Sequence, residues 1–216
     1  MPVKAVLFDL DGTLRDSRPA ILPSAQYALE HFGYRIADAS VLLRYSHSLR
    51  TVHEAFVPHA QYEDFSSVYY AKVASLLHTV TPYDGHIAVL AHLKQSYMVG
   101  MVSSSRYAKE SADTDGIGDL LDVCVGGPDT ENHKPHPEPI LLALTKLHIL
   151  PKDAVMVGDL PADIAASKAA GLCAAVGITH GFGTRHMLQQ AGADYLIDSL
   201  AEIVPTLAII ENHDGS

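Results

Sequence analysis

The strongest constraint on this chain is a set of short apolar runs with no polar face. Ala5–Leu10, apart from Asp9, Met98–Val102 and Ala154–Val157 read as strands covered on both sides. Val123–Val125 and Cys173–Ile178 read as two more, and Tyr195–Ile197 adds a short sixth. Segments of helical period lie between the later runs: Gly85–Gln95, Glu138–Leu147, Pro161–Ala170 and Thr184–Ala191. This alternation predicts an α/β fold built on a doubly wound, Rossmann-like parallel sheet. In such sheets, ligands bind beyond the carboxyl ends of the strands.

One stretch breaks the alternation. From Ser17 to Val80 the chain is patterned as helix, with Ile21–Phe32 near its start and Phe65–His78 near its end. That is too long for a plain crossover. It predicts a small all-helical cap domain over 17–81, inserted into a core formed by 1–16 and 82–216. Linkers are expected near Arg15–Ser17 and Thr81–Asp84, where Pro82 and Gly85 punctuate the chain. Glu211–Ser216 is polar and is expected to fray.

Composition narrows the function. The 216 residues carry 15 Lys+Arg against 25 Asp+Glu, a net charge of -10 with neutral histidines. Nucleic-acid binding calls for a basic face, so that partner is not expected. A small anionic substrate remains open, because a local positive site can sit in a negative protein. No run of about 18 apolar residues suggests a membrane span. The apolar N-terminus carries acids, unlike a signal peptide. Cys124 and Cys173 read as reduced thiols, so a cytoplasmic protein, monomer or homodimer, is expected.

Chemistry-bearing residues recur at the strand ends. The first run closes in Asp9-Leu10-Asp11-Gly12-Thr13; the two acids could share one face if the extension continues, and Gly12 permits a sharp turn. Buried acids at such a place need compensation, which a divalent cation would supply. Asp-Gly is also an ordinary turn. The second run leads into Ser103-Ser104-Ser105, three hydroxyls suited to a phosphate or simply to a helix cap. Later comes His133-Lys134-Pro135-His136-Pro137, where two prolines stiffen the chain around Lys134; the two histidines lack the companions of a zinc site. The fourth run ends in Gly158-Asp159, with Asp163 one helical turn on. Carboxylate oxygens suit magnesium, and Asp163 would also suit the first turn of a helix.

In this order the motifs FDLDGT, VSSS, KPHPEP and VGDLPAD resemble those of the haloacid dehalogenase (HAD) superfamily. The stretch ITHGFGTRHMLQQAGADYLIDSLAEI resembles its phosphoglycolate-phosphatase-like branch, and the helical insert resembles that branch's cap. The resemblance covers roughly residues 1–16 and 82–210. It implies a Mg2+-dependent phosphatase acting on a small phosphorylated metabolite. Asp9 would be the nucleophile forming an aspartyl-phosphate, and Asp11 the general acid and base. Magnesium would be held by Asp9, the backbone carbonyl of Asp11 and Asp159, with support from Asp163. Ser103, Ser104 and Lys134 would hold the phosphoryl oxygens. Asp11, two residues after the nucleophile, favours phosphoryl transfer over halide displacement. In the cap, Arg44, His47 and Arg50 are candidates for substrate recognition. A β-phosphoglucomutase-type phosphosugar mutase and a catalytically silent regulatory protein are the alternatives.

Overall fold

The computed structural model describes residues 2–37, 41–42 and 49–213. Two compact units emerge: Met1–Leu14 with Pro82–Ser216, and Arg15–Thr81. In chain order the elements are β1 (Ala5–Phe8), β2 (Arg15–Asp16), α1 (Arg18–His31), α2 (Leu49–Phe56), α3 (Tyr62–Leu76), β3 (Thr81–Pro82) and α4 (His86–Leu93). Then follow β4 (Met98–Val102), α5 (Ala108–Thr114), β5 (Val123–Val125), α6 (Glu138–Leu147), β6 (Ala154–Gly158) and α7 (Pro161–Ala170). The chain closes with β7 (Ala174–Ile178), α8 (Arg185–Gln190), β8 (Tyr195–Ile197) and α9 (Ile203–His213).

The first unit is built on a six-stranded sheet of order β5-β4-β1-β6-β7-β8, parallel throughout. The chain winds outward from β1 through β4 to β5, then returns to β6 on the other side of β1 and winds outward again. This is the doubly wound α/β arrangement predicted from the apolar runs. Alternate side chains feed two cores. On one face Val6, Phe8, Val99, Met101, Val155, Val157 and Val176 pack with Leu90 and Leu93 of α4 and with Ile203, Leu207 and Ile210 of α9. On the other, Ala5, Leu7, Val102, Val125 and Met156 pack with Ile140, Ala143 and Leu144 of α6 and Ala166 of α7. Covering on both faces is why these strands lack a polar stripe.

The second unit is helical. The main packing is of α1 against α3, around Ala25, Ala28, Leu29, Val52, Phe65 and Tyr69. At its ends, β2 and β3 form a separate two-stranded sheet. The fraying expected over Glu211–Ser216 is corrected for its first three residues, while 214–216 lie outside the described residues. Glu211–His213 continue α9 rather than fray, and a Glu211 carboxylate oxygen accepts the Val3 N–H at 3.2 Å. The polar composition there reflects a helix end, tied down at Glu211.

Candidate active site

Because the strands are parallel, the segments after β1, β4 and β6 leave the sheet at its carboxyl end. Asp9 is the first residue beyond β1. Its N–H donates to the Val157 carbonyl at 2.9 Å, so pairing with β6 runs one residue past the strand. The backbone then turns, with the Thr13 and Leu14 N–H groups both donating to the Leu10 carbonyl at 3.2 and 2.9 Å. The backbone bends at Leu10, and Asp11 beyond it forms an isolated β-bridge before the turn. Gly12 has φ +90°, and a Cβ there would stand 2.6 Å from the Phe182 ring, so glycine alone suits the turn. Asp9 is buried and Asp11 half-buried.

Lys134 joins what the sequence separates. Its ammonium lies 2.8 Å from Asp9 Oδ1 and 2.6 Å from Asp163 Oδ1, and donates to the Val102 carbonyl at 3.0 Å. Those three acceptors match its three N–H donors. The Lys134–Pro135 peptide bond is cis. Asp163 sits in the first turn of α7, where its Oδ2 accepts the Leu160 N–H at 2.9 Å. It therefore caps its own helix and pairs with Lys134 at once. Asp159 follows β6 and is fully buried; Oδ1 accepts from the Thr13 hydroxyl at 3.1 Å and Oδ2 from the Phe182 N–H at 2.7 Å.

Asp9, Asp159 and Asp163 each offer a carboxylate oxygen within 4.8 Å of the others, a grouping able to hold a metal ion. Fully ionised, these three carboxylates would exceed the single Lys134 ammonium by two negative charges, in a buried place. Burial pushes the Asp9 carboxyl up to about 7, helped by Asp163 and Asp11 and opposed by Lys134. Burial likewise pushes Asp159 well up, with Asp163 and Asp9 adding repulsion. Lys134 is raised by the same two partners, Asp163 and Asp9, which outweigh its own desolvation. The site thus lacks positive charge, and an all-oxygen donor set of this kind suits a hard divalent cation.

Ser103 extends β4 by one residue, donating its N–H to the Val125 carbonyl at 2.9 Å. Its hydroxyl oxygen accepts the Ser105 N–H at 3.1 Å, a bond that leaves the hydroxyl proton to be given elsewhere. Ser104 is exposed. Gly127 closes on this turn, so that a Cβ there would stand 2.6 Å from the Ser104 carbonyl oxygen. His133 and His136 are exposed and join no metal-ligating group among the described residues. In the helical unit, the Arg50 guanidinium stands over the Tyr62 ring at 3.9 Å. Arg44 and His47 lie outside the described residues.

Two participants carried no sequence signal strong enough to be named: the Thr13 hydroxyl and the Phe182 N–H that hold Asp159. Their trace is Gly181-Phe182-Gly183, two glycines at alternate positions just past a strand. Gly181 packs so closely on Asp159 and the Gly12 carbonyl that no side chain fits.

The pattern that defines the haloacid dehalogenase-like hydrolases matches residues 6–176. A phosphoglycolate phosphatase of Neisseria meningitidis is 34% identical, covering 98% of this chain and 97% of its own. A protein of Caldanaerobacter subterraneus named "Putative pyrophosphatase PpaX" is 31% identical, covering 94% of each chain. In fold, the chain resembles a haloacid dehalogenase-like family hydrolase of Streptococcus pneumoniae, with TM-score 0.81, 23% identity and coverage of 94% and 98%. The matched range includes Asp9, Ser103, Lys134, Asp159 and Asp163, and the chain belongs to the haloacid dehalogenase-like hydrolase family.

Proposed function

We propose that this chain is a magnesium-dependent phosphatase that hydrolyses a small phosphorylated metabolite through an aspartyl-phosphate on Asp9. The observation that carries the reading is Lys134 held between Asp9 and Asp163, with Asp159 in the same buried group. That arrangement puts a carboxylate nucleophile beside a fixed ammonium and an excess of negative charge that a divalent cation would balance.

Asp9, Asp159, Asp163 and the Asp11 carbonyl are the groups that would hold the ion. When bound, magnesium supplies positive charge that keeps carboxylates ionised and offsets charge on phosphoryl oxygens. The chain's own residues divide the remaining work. A carboxylate oxygen of Asp9 forms a bond to phosphorus as the ester P–O bond breaks. Asp11, in its acid form, gives its proton to the departing oxygen. Water then attacks phosphorus, yields a proton to Asp11, and displaces the Asp9 oxygen to release inorganic phosphate. Ser103, with a hydroxyl proton to give, and Lys134, on turning one of its three donors from a carboxylate to the phosphoryl group, bind the transferring oxygens and hold them in line. The phosphoglycolate phosphatase similarity across nearly the full length favours a small, anionic monoester. The helical unit is read as a lid that excludes bulk water, with Arg44, His47 and Arg50 as its candidate anion contacts.

The test is turnover of p-nitrophenyl phosphate, followed by a metabolite panel that includes phosphoglycolate, hexose phosphates and diphosphate. Release of inorganic phosphate that requires magnesium and falls by about 10³-fold or more in Asp9→Asn is expected. An isomeric sugar phosphate as product would point to a mutase instead. A folded protein inert across the whole panel would sink the enzyme reading.

A further inference from the structure

We propose that His180 is a positioning residue, clamping the turn that carries Asp11 and Thr13 onto the loop that holds Asp159. This rests on the phosphatase reading for its kinetic consequence, though not for the contacts themselves.

The segment after β7, Thr179–Gly183, reaches the active-site turn at several points. The His180 Nε2 lies 3.0 Å from the Thr13 carbonyl oxygen. A carbonyl only accepts, so Nε2 carries the proton and donates. The imidazole is stacked on Tyr83, with centroids 3.7 Å apart and planes 21° apart. The Tyr83 hydroxyl donates to the His180 carbonyl at 3.0 Å, and the Tyr83 N–H donates to the Leu14 carbonyl at 3.0 Å. Ring and backbone of His180 are thus both fixed. Two residues on, the Phe182 N–H holds Asp159 Oδ2, while Thr13, whose carbonyl His180 grips, holds Asp159 Oδ1 through its hydroxyl.

One short segment therefore orients both carboxylate oxygens of Asp159, one directly and one through Thr13. The same grip fixes the backbone two residues after Asp11. Groups that orient a metal's ligands matter nearly as much as the ligands, because a tilted carboxylate binds the ion in the wrong geometry. Asp11 must also stay within hydrogen-bond reach of the leaving oxygen. Thr13–Leu14 and Tyr83 are where the chain leaves the first unit and returns to it.

The experiment compares wild type, His180→Ala, His180→Gln and Tyr83→Phe in the full chain. Magnesium affinity of the chelator-stripped protein is read by calorimetry, and kcat and KM with p-nitrophenyl phosphate by kinetics. His180→Ala is expected to lose about 10- to 100-fold in magnesium affinity and in kcat, with little change in KM. His180→Gln restores a donor and is expected to recover much of both. Magnesium affinity and kcat in His180→Ala within about twofold of wild type would overturn the proposal. So would a glutamine variant no better than alanine. If His180→Ala does not fold, Tyr83→Phe is expected to show a smaller loss in the same direction, and unchanged values there would overturn it. Wild type that binds magnesium without turning over phosphate would instead defeat the phosphatase reading, leaving calorimetry to decide the clamp.

Discussion

Asp9 is the residue on which burial and function pull hardest against each other. Its carboxyl is held up at about 7 against an ordinary 3.8, chiefly by burial. Between those values the folded, metal-free chain keeps a proton that the unfolded chain has lost. Its stability contribution therefore falls as pH rises from 3.8 to about 7, then levels off. A divalent cation at the group favours the ionised form and works against that loss. Thermal melts should accordingly show magnesium raising Tm more at about pH 8 than at about pH 5. Equal increments at both would mean that the ion does not bind where Asp9 ionises. The acids and the lysine were legible in the sequence because each stands at the end of an apolar run, where an uncompensated charge calls for an explanation. What was not legible is that Asp163 serves two masters, Lys134 and the Leu160 N–H, since only the fold sets those distances.

At the level of elements, the sequence carried most where burial leaves a plain mark. Met98–Val102, Val123–Val125 and Tyr195–Ile197 have the same ends in the apolar pattern and in the sheet, as do the helices Glu138–Leu147 and Pro161–Ala170. The element at the C-terminal end was harder. The segment Ile203–His213 is helical to its polar end, a point composition alone misjudged. The loop after β7 was legible only within the stretch ITHGFGTRHMLQQAGADYLIDSLAEI, because its purpose depends on meeting Asp159, 23 positions away along the chain for the Phe182 contact. That loop yields a sharp expectation. A Cβ at Gly181 would intrude on both Asp159 Oδ2 and the Gly12 carbonyl. Gly181→Ala should therefore destabilise the chain by about 1–3 kcal/mol, the usual cost of overpacking, and weaken magnesium binding as well. Chemical denaturation with and without magnesium measures both. A variant as stable as wild type, with unaltered affinity, would show that the loop yields easily and does not set the geometry of Asp159.

Across the whole molecule, the sheet unit and the helical unit have separate hydrophobic cores. The sheet unit holds Asp9, Asp159, Asp163 and Lys134, whereas the core of the helical unit is Ala25, Ala28, Leu29, Val52, Phe65 and their neighbours. Among the described residues, the carboxylates able to group around an ion belong to the first unit. A ligand stabilises only the states that bind it, by about 2.7 kcal/mol at a hundred times its Kd. Amide hydrogen exchange resolves such gains locally, because units open with free energies of their own. Magnesium should therefore slow exchange in β1, β4 and β6 while leaving the buried amides of α1 and α3 close to their metal-free rates. Adding a phosphate mimic tests the lid reading in the same experiment. If the helical unit closes on an anion, protection should then appear in it as well. Protection that rises equally in both units with magnesium alone would mean that they unfold together, and the helical insert could not act as an independently moving lid.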